Sequence, residues 1–247
     1  MRLDVFFTPN QVKPPDTQGR LVVIVDVLRA STTVATALGN GAKTVIPLEG
    51  PDDVITRSKE FARSQTLLAG EQKMHPITGF DLGNSPQAFT PEVVEGKTIL
   101  LTTTNGTRAL LGVQGARDIV VASYVNFTAV LTLMRVAASS NTDIAIICAG
   151  EEGGFTLEDA ACAGRYVRAI PKRAGQAVND AAAASVLIEK KYGDNIAKVF
   201  KESTHGQALQ SAGFGDDLAA AAEVDAYPVV PIWQDRQITK LGPERER

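Results

Sequence analysis

The sequence predicts an α/β protein built around a largely parallel β-sheet. Apolar runs alternate with helical patterns up to about residue 170, as in chains made of successive βαβ units. The run LVVIV at 21–25 is continuously apolar and branched, which is typical of a strand buried on both faces of a parallel sheet. The chain has 247 residues, of which 44% are hydrophobic, enough for one large core. No low-complexity linker interrupts it, so we predict a single domain over 1–247.

The elements follow from the same patterns. Strands are predicted at 3–7, 21–26, 44–47, 67–69, 98–102, 118–122 and 143–148. Helices are predicted at 31–38, 52–63, 107–113, 126–138 and 157–170. The region 178–224 is rich in Ala, Lys and Glu, so it is predicted to be wholly helical and to pack on the sheet. A short strand at 227–232 and a frayed, charged tail at 241–247 complete the chain.

Composition excludes several classes of function. The net charge is −3, which argues against general affinity for nucleic acids or anionic membranes. No apolar run reaches the roughly 18 residues of a membrane span, and the N-terminus lacks the apolar core of a signal peptide. Two cysteines, Cys148 and Cys162, cannot form a disulfide framework. We therefore expect a cytoplasmic protein that binds neither nucleic acid nor membrane; assembly into a homo-oligomer is left open.

The first candidate site is the segment that follows the strand at 21–25. Asp26 stands at the carboxyl end of that strand, and Arg29 and three hydroxyl residues, Ser31, Thr32 and Thr33, lead into a helix. In open α/β sheets ligands bind beyond the carboxyl ends of the strands, and helix starts favour anions. A carboxylate, a guanidinium and several hydroxyls suit a metal-bound phosphate. The alternative is an N-cap with a surface ion pair.

A second anion-binding candidate is the turn within TTTNGTRAL, 102–110. Asn105 and Gly106 both tolerate positive φ, so the backbone N–H groups of such a turn can surround an anion. Thr104 and Thr107 add hydroxyl donors. No Gly-Lys-Ser/Thr sequence follows, so a nucleotide triphosphate is not indicated. A capped turn without a ligand is the alternative.

Four further carboxylates are candidate metal ligands. Glu71 follows a predicted strand, Asp81 lies in the loop GFDLGNSP, and Glu158 and Asp159 lie in the first turn of a predicted helix. Oxygen ligands of this kind favour Mg²⁺, which is hard and commonly shared with phosphate. The alternatives are a hydrogen bond to a backbone amide for Asp81, a surface salt bridge for Glu71 and a favourable helix-dipole position for Glu158 and Asp159.

Cysteine and histidine chemistry is less favoured. Cys162 and Arg168 have the Cys-x5-Arg spacing of cysteine phosphatases, but they fall within a predicted helix whose amides are already bonded. Only His75 and His205 are present, which excludes His-rich zinc sites. His205, in the sequence STHG, could act as an acid or bind phosphate, with a histidine at a helix start as the alternative.

Five motifs together resemble one known family. They are DVLRASTT (26–33), GFDLGNSP (79–86), TTTNGTRAL (102–110), CAG with LEDAACAG (148–164) and STHG (203–206). In this order they resemble the 2-phosphosulfolactate phosphatases, the ComB-like family, over about residues 4–231. One departure is Gly70-Glu71-Gln72-Lys73, where relatives often read Gly-Glu-Arg-Gly.

The resemblance implies a three-layer α/β/α fold with a mixed sheet. It also implies a Mg²⁺-dependent phosphatase, associated with coenzyme M biosynthesis, that hydrolyses 2-phosphosulfolactate to sulfolactate and phosphate. On this hypothesis Asp26 either attacks phosphorus or holds Mg²⁺, and Arg29 neutralises the transferring phosphoryl group. Two alternatives remain: a phosphatase for another small phosphorylated carboxylic acid, and a non-catalytic anion-binding protein of the same fold.

Overall fold

The computed structural model describes residues 1–172 and 174–242; of the predicted frayed tail, residues 243–247 lie outside this part. The strands are β1 (Arg2–Phe6), β2 (Leu21–Val25), β3 (Thr44–Pro47), β4 (Thr66–Gln72), β5 (His75–Pro76), β6 (Thr98–Thr102), β7 (Asp118–Ala122), β8 (Ile144–Cys148), β9 (Ala177–Val178), β10 (Pro231–Gln234) and β11 (Gln237–Lys240). Within the described residues they form one sheet in the order β5-β4-β6-β3-β11-β10-β7-β2-β8-β1-β9.

Helices cover both faces of this sheet. They are α1 (Pro14–Thr17), α2 (Ala30–Gly39), α3 (Pro51–Ser58), α4 (Pro91–Val94), α5 (Gly106–Leu111), α6 (Phe127–Ser139), α7 (Leu157–Ala169), α8 (Asp180–Tyr192), α9 (Ile196–Glu202), α10 (Thr204–Ser211) and α11 (Gly215–Ala222). The predicted α/β class is confirmed. No helix within the described ranges is long and apolar enough to cross a membrane.

Strand β2 shows why the fold has three layers. All five of its residues are buried, and successive side chains point to opposite faces of the sheet. Val23 and Val25 join a core with residues of α6 to α11, whereas Val22 and Ile24 join a second core with residues of α2, α4 and α5. A continuously apolar strand is therefore the central layer between two helical layers, and the three-layer prediction is confirmed.

The sheet is mixed because a hairpin divides two parallel blocks. Strands β1, β2, β7 and β8 pair in parallel, as do β3, β4 and β6. The hairpin β10–β11 lies between them and pairs antiparallel with β7 on one side and β3 on the other. Three successive antiparallel pairings make the two blocks run in opposite directions.

The sequence reading missed half of this hairpin. It predicted a strand at 227–232, whereas the strands are β10 and β11. The connecting residues Asp235 and Arg236 both have positive φ, at 52° and 60°, without the Gly or Asn that usually marks such a turn. In β11 the strongly apolar residue is Ile238 alone, so its pattern was too weak to read.

The C-terminal helices position two residues of the site. The region predicted as wholly helical contains the short strand β9 and then α8 to α11. Helix α8 packs closely on α7, where a side chain at Gly164 would collide with the Ser185 carbonyl oxygen. Helices α8 to α11 belong to one helical layer on the sheet. In that layer α10 carries His205 and α11 carries Asp217.

Candidate active site

A cleft of about 1160 Å³ lies where the ends of several strands meet. Its lining includes Asp26 after β2, Glu71 in β4, Asn105 after β6, Glu151 after β8 and His205 of α10. Asp26 and the Asn105 turn therefore share one cleft, although β2 and β6 belong to oppositely directed blocks. Each strand in a sheet is rotated by roughly 20–25° relative to its neighbour. The rotation accumulates over the five neighbouring pairs from β2 to β6, so the second block is strongly rotated relative to the first.

Asp26 lies buried at the centre of the floor. Its Oδ1 accepts a hydrogen bond from the Ala30 backbone N–H at 3.2 Å. A Cβ atom on Gly106 would lie 2.6 Å from Asp26 Oδ2, so glycine is needed for α5 to approach. Burial raises the pKa of Asp26 to about 6; the positive charge of His205 and the Ala30 N–H oppose this rise, while Glu71 and Glu158 add to it.

Glu158 and His205 form a buried pair beside Asp26. His205 Nδ1 lies 3.2 Å from Glu158 Oε1, and His205 Nε2 lies 4.0 Å from Glu151 Oε1. Burial alone would lower the pKa of His205, but the hydrogen bond to Glu158 and the charges of Glu158, Glu151 and Asp26 raise it to about 9. The imidazole therefore carries a proton on each nitrogen at neutral pH.

Asp159, the next residue along α7, joins two strand ends. Its Oδ1 accepts from the Val27 backbone N–H at 2.8 Å, and its Oδ2 accepts from the Gly150 N–H at 3.1 Å. Burial, followed by the charges of Asp26 and Glu158, raises the pKa of Asp159 well above its usual value. Both oxygens thus accept hydrogen bonds from backbone amides, so Asp159 connects the loop after β2 to the loop after β8. Asp159 is not among the residues that line the cleft, and its role as a metal ligand stays a prediction.

Glu71 connects the β4–β5 hairpin to the Asn105 turn. Its Oε1 accepts from the backbone N–H and the hydroxyl of Thr104, at 2.8 and 2.9 Å, and its Oε2 accepts from the Met74 N–H at 3.0 Å. The surface salt bridge considered for Glu71 is absent from the described contacts, because its charge is bound by these donors. Glu71 lines the cleft and remains a candidate ligand.

Asp81 is not brought to the cleft. Its carboxylate forms an ion pair with Arg63 at 2.5 Å and accepts from the Leu68 N–H at 2.8 Å. The hydrogen bond from Arg63, together with that of Leu68, lowers the pKa of Asp81 against the opposing effect of burial. Of the two roles considered for Asp81, a metal ligand or an acceptor for a backbone amide, the structure shows the second: Asp81 fixes its own loop to β4.

Arg29 reaches the cleft but is already neutralised. Its Nη1 donates to Asp217 Oδ2 at 2.7 Å, its Nη2 donates to the Met74 carbonyl at 2.7 Å, and its guanidinium stacks on the Phe214 ring at 4.3 Å. Ser85 Oγ donates to the other oxygen of Asp217. Arg29 thus attaches both the β4–β5 hairpin and α11 to the floor.

The predicted phosphate-binding hydroxyls mostly serve the backbone. Those of Thr32 and Thr33 donate to the carbonyls of Val27 and Asn84, and that of Ser31 accepts from the Asp26 N–H. Thr107 exchanges hydrogen bonds with Thr103. The side chains of Ser31, Thr32, Thr33 and Thr107 are buried and do not line the cleft, so the structure does not bring them to its surface, and their role in phosphate binding stays a prediction. Thr104 and Asn105 do line the cleft, whereas Gly106 lies beneath it against Asp26.

Cysteine chemistry finds no support in the geometry. Both Cys148 and Cys162 are buried, and burial raises the pKa of each thiol well above its usual value. Arg168 is bound to Glu189 through two nitrogens at 2.7 Å. The Cys-x5-Arg spacing is therefore a coincidence of helix α7.

The acidic floor suits a hard cation. Glu158 Oε2 is buried and has no hydrogen-bond partner among the described residues, and the pKa of Asp26 is raised mainly by burial and further by the nearby charges of Glu71 and Glu158. No three His, Cys, Asp or Glu side chains of the described ranges stand close enough to surround an ion by themselves. Mg²⁺ does not require this, because it usually keeps several waters and binds one or two carboxylates with phosphate oxygens.

Two basic residues of the cleft were missed. Lys73 and Arg108 both line it, and both are exposed. Arg108 belongs to the TTTNGTRAL motif, so its position one helical turn after the Asn105 turn could have indicated it. Nothing local to Lys73 shows that the hairpin β4–β5 folds over the cleft.

Comparison with known proteins places the chain in a family. A family model described as 2-phosphosulpholactate phosphatase matches residues 6–236. A protein of Caldanaerobacter subterraneus subsp. tengcongensis called "Probable 2-phosphosulfolactate phosphatase" is 38% identical over 231 residues, which cover 94% of this chain and 95% of that protein. Proteins of the same name from Symbiobacterium thermophilum and Clostridium acetobutylicum are 39% and 32% identical, covering 90% and 96% of this chain and 95% and 100% of the relatives.

Proposed function

The chain belongs to the 2-phosphosulfolactate phosphatase family, and we propose that it hydrolyses 2-phosphosulfolactate to sulfolactate and phosphate with the help of Mg²⁺. The relatives carry this substrate in their names. The observation that carries the proposal is that the buried carboxyl of Asp26 shares one cleft with His205, whose imidazole is protonated and contacts Glu158. A non-catalytic anion-binding protein would not need buried carboxylates, which repel anions.

Asp26, Glu71 and Glu158 are the residues that would hold the cation. Glu158 has an unpartnered oxygen, and Asp26 lines the cleft with its Oδ2 close to Gly106. When bound, Mg²⁺ supplies positive charge that polarises the phosphoryl oxygens and lowers repulsion between them and the carboxylates. Asp26 is the central ligand in this proposal, in preference to the alternative role as a nucleophile.

His205 supplies the proton that the leaving oxygen requires. Hydrolysis breaks the bond between phosphorus and the ester oxygen, and that oxygen must take up a proton to leave as the hydroxyl of sulfolactate. Nδ1 of His205 donates to Glu158, which leaves the Nε2 proton available at the cleft. The attacking water becomes a hydroxyl of the phosphate product and releases its second proton to solvent, and Nε2 takes a proton back from solvent, so the protons balance over the cycle.

The loop after β6 and the Arg29 ion pair position the substrate. Asn105 lies in the cleft, with its Oδ1 fixed by the Glu152 N–H at 3.1 Å, so its side-chain amide is oriented before substrate binds. Arg29 is bound to Asp217 and therefore adds little net charge, but it fixes the walls around the phosphoryl group. Its expected effect on the reaction is through orientation.

The direct test is release of inorganic phosphate from 2-phosphosulfolactate by the purified protein. After treatment with a chelator, activity should fall to background and return when Mg²⁺ is added. 2-Phospholactate and phosphoglycolate, which lack the sulfonate, should be cleaved more slowly. If turnover is the same with chelator as with Mg²⁺, the reaction does not depend on a metal. If another phosphorylated acid is cleaved faster, that acid is the better candidate for the substrate.

A further inference from the structure

We propose that Lys73 and Arg108 bind the sulfonate and carboxylate end of the substrate and thereby set its specificity. This inference rests on the proposed function and extends it to two residues that no comparison assigns. The starting observation is the charge distribution in the cleft. The floor holds the buried residues Asp26, Glu71 and His205, with Glu158 behind His205, whereas Lys73 and Arg108 are exposed at its rim.

The acidic floor makes a basic rim necessary. Five carboxylates line the cleft, from Asp26, Glu49, Glu71, Glu151 and Glu152. The substrate carries a sulfonate and a carboxylate in addition to its phosphate, and all three are negative at neutral pH. A cation and His205 on the floor can compensate the phosphate, but the remaining two groups need their own positive partners.

Lys73 and Arg108 are the two cleft residues whose charge is free for this purpose. Arg29 also lines the cleft, but its charge is taken by Asp217. Neither Lys73 nor Arg108 has an ion pair or a side-chain hydrogen bond with any residue in 1–172 or 174–242. A guanidinium matches the oxygens of a carboxylate or sulfonate through two parallel N–H groups, and an ammonium adds a compact charge.

The backbone at Lys73 is a second, independent observation. Lys73 and Met74 are the two central residues of the β4–β5 hairpin, and both have positive φ, at 49° and 71°. Such turns favour Asn, Asp and Gly, so lysine and methionine are strained there. The Met74 N–H donates to Glu71 and its carbonyl accepts from Arg29, so the floor residues themselves fix the turn that carries Lys73.

The segments that carry Lys73 and Arg108 are connected through hydrogen bonds of Glu71. Glu71 binds Met74 in the hairpin through one oxygen and Thr104 through the other, and Thr104 lies four residues before Arg108. The hairpin and the start of α5 are therefore held in fixed relation across the cleft. A substrate whose phosphate binds at Asp26 would extend its other anionic groups between these walls.

The test separates the two ends of the substrate. Binding of sulfolactate and of inorganic phosphate is measured by calorimetry, in buffer with Mg²⁺, for the wild type, Lys73→Met, Arg108→Met and the double variant. We expect the Kd for sulfolactate to rise about tenfold or more in each single variant, as when a charge-assisted hydrogen bond is lost, while the Kd for phosphate stays unchanged. Lys43→Met and Arg117→Met, beside the amino ends of β3 and β7, are the matched controls and should leave both values unchanged.

The variant Lys73→Asn separates the effect of backbone strain in the β4–β5 turn from the effect of the lysine charge. Lys73→Asn places a residue that tolerates positive φ, so it should raise the melting temperature while weakening sulfolactate binding like Lys73→Met. Sulfolactate binding that is unaffected by both substitutions, or phosphate binding that weakens in parallel, would overturn the inference. Absence of phosphate release from 2-phosphosulfolactate, with the expected Kd pattern intact, would instead count against the proposed function alone.

Discussion

Gly106, at the start of α5, lies so close to Asp26 that a Cβ atom there would be 2.6 Å from Asp26 Oδ2 and 2.7 Å from the Ala30 side chain. The contact joins the ends of β2 and β6, which are far apart in the sheet order. It explains why the Asn105-Gly106 turn shares a cleft with Asp26. The role of Gly106 is thus to permit approach of the two strand ends.

Replacement of Gly106 by alanine should therefore displace Asp26 or α5. We expect kcat to fall about tenfold or more, because small misplacements of reacting groups have large effects on rate. Overpacking should also lower the free energy of unfolding by about 1–3 kcal/mol. Phosphate release and urea denaturation are the measurements. Gly242→Ala, where a Cβ meets no atom within 4 Å, is the control, and equal behaviour of the two variants would contradict the prediction.

His205→Gln tests the proton donor. The variant should lose roughly 10²- to 10⁴-fold in kcat on an alkyl phosphate, because the leaving oxygen then departs without a proton. With p-nitrophenyl phosphate, whose leaving group needs no proton, the loss should be much smaller. His75→Gln is the comparison, since His75 lines the same cleft but packs on Phe214 and forms no ion pair with a carboxylate in residues 1–172 or 174–242. Equal losses on both substrates would show that His205 acts only in folding or binding.

Asp26→Asn should lower activity and raise stability. We expect turnover to fall at least about 100-fold, as for loss of a principal electrostatic group. The pKa of Asp26 is about 6 in the folded protein against an ordinary value of 3.8, so the folded state binds more protons between these values. Stability from the protonated carboxyl is thus present below about pH 4 and lost as pH rises through 6.

The Asp26→Asn variant has no carboxyl to ionise, so it does not lose this stability. Its free energy of unfolding relative to the wild type should therefore increase by about 2 kcal/mol between about pH 4 and pH 8. Asparagine keeps an oxygen for the Ala30 N–H, so the comparison isolates the charge. The measurement is urea denaturation of both proteins across this pH range in the presence of a chelator. If the difference in free energy of unfolding between the two proteins does not change with pH, burial does not raise the pKa of Asp26.

Asp159→Asn distinguishes a structural carboxylate from a metal ligand. The substitution removes one of two acceptors for the Val27 and Gly150 amides, so it should lower the free energy of unfolding by about 1–3 kcal/mol. The Mg²⁺ concentration for half-maximal activity should be unchanged. Glu158→Gln, one residue earlier, should instead raise this concentration. A shift for Asp159→Asn and none for Glu158→Gln would reverse the assignment.

The sequence alone determined the central strands and the class of the fold. Continuous apolar runs such as 21–25 can be buried only between two layers, so β2 and its neighbours were predictable within a residue or two. Asp26, Glu71 and Asn105 were predictable as cleft residues because positions at or beyond the carboxyl ends of predicted strands commonly line ligand sites. The ordered motifs also identified the family.

Tertiary structure alone decided the roles of several residues. Arg29 and its partner Asp217 are 188 residues apart, and no local pattern relates them. Glu158 and Asp159 are adjacent, yet a helix turns about 100° per residue, so one contacts His205 and the other binds two loops. The hairpin β10–β11 likewise depends on its neighbours in the sheet. Local preferences fix the elements, whereas contacts between distant residues depend on how those elements pack.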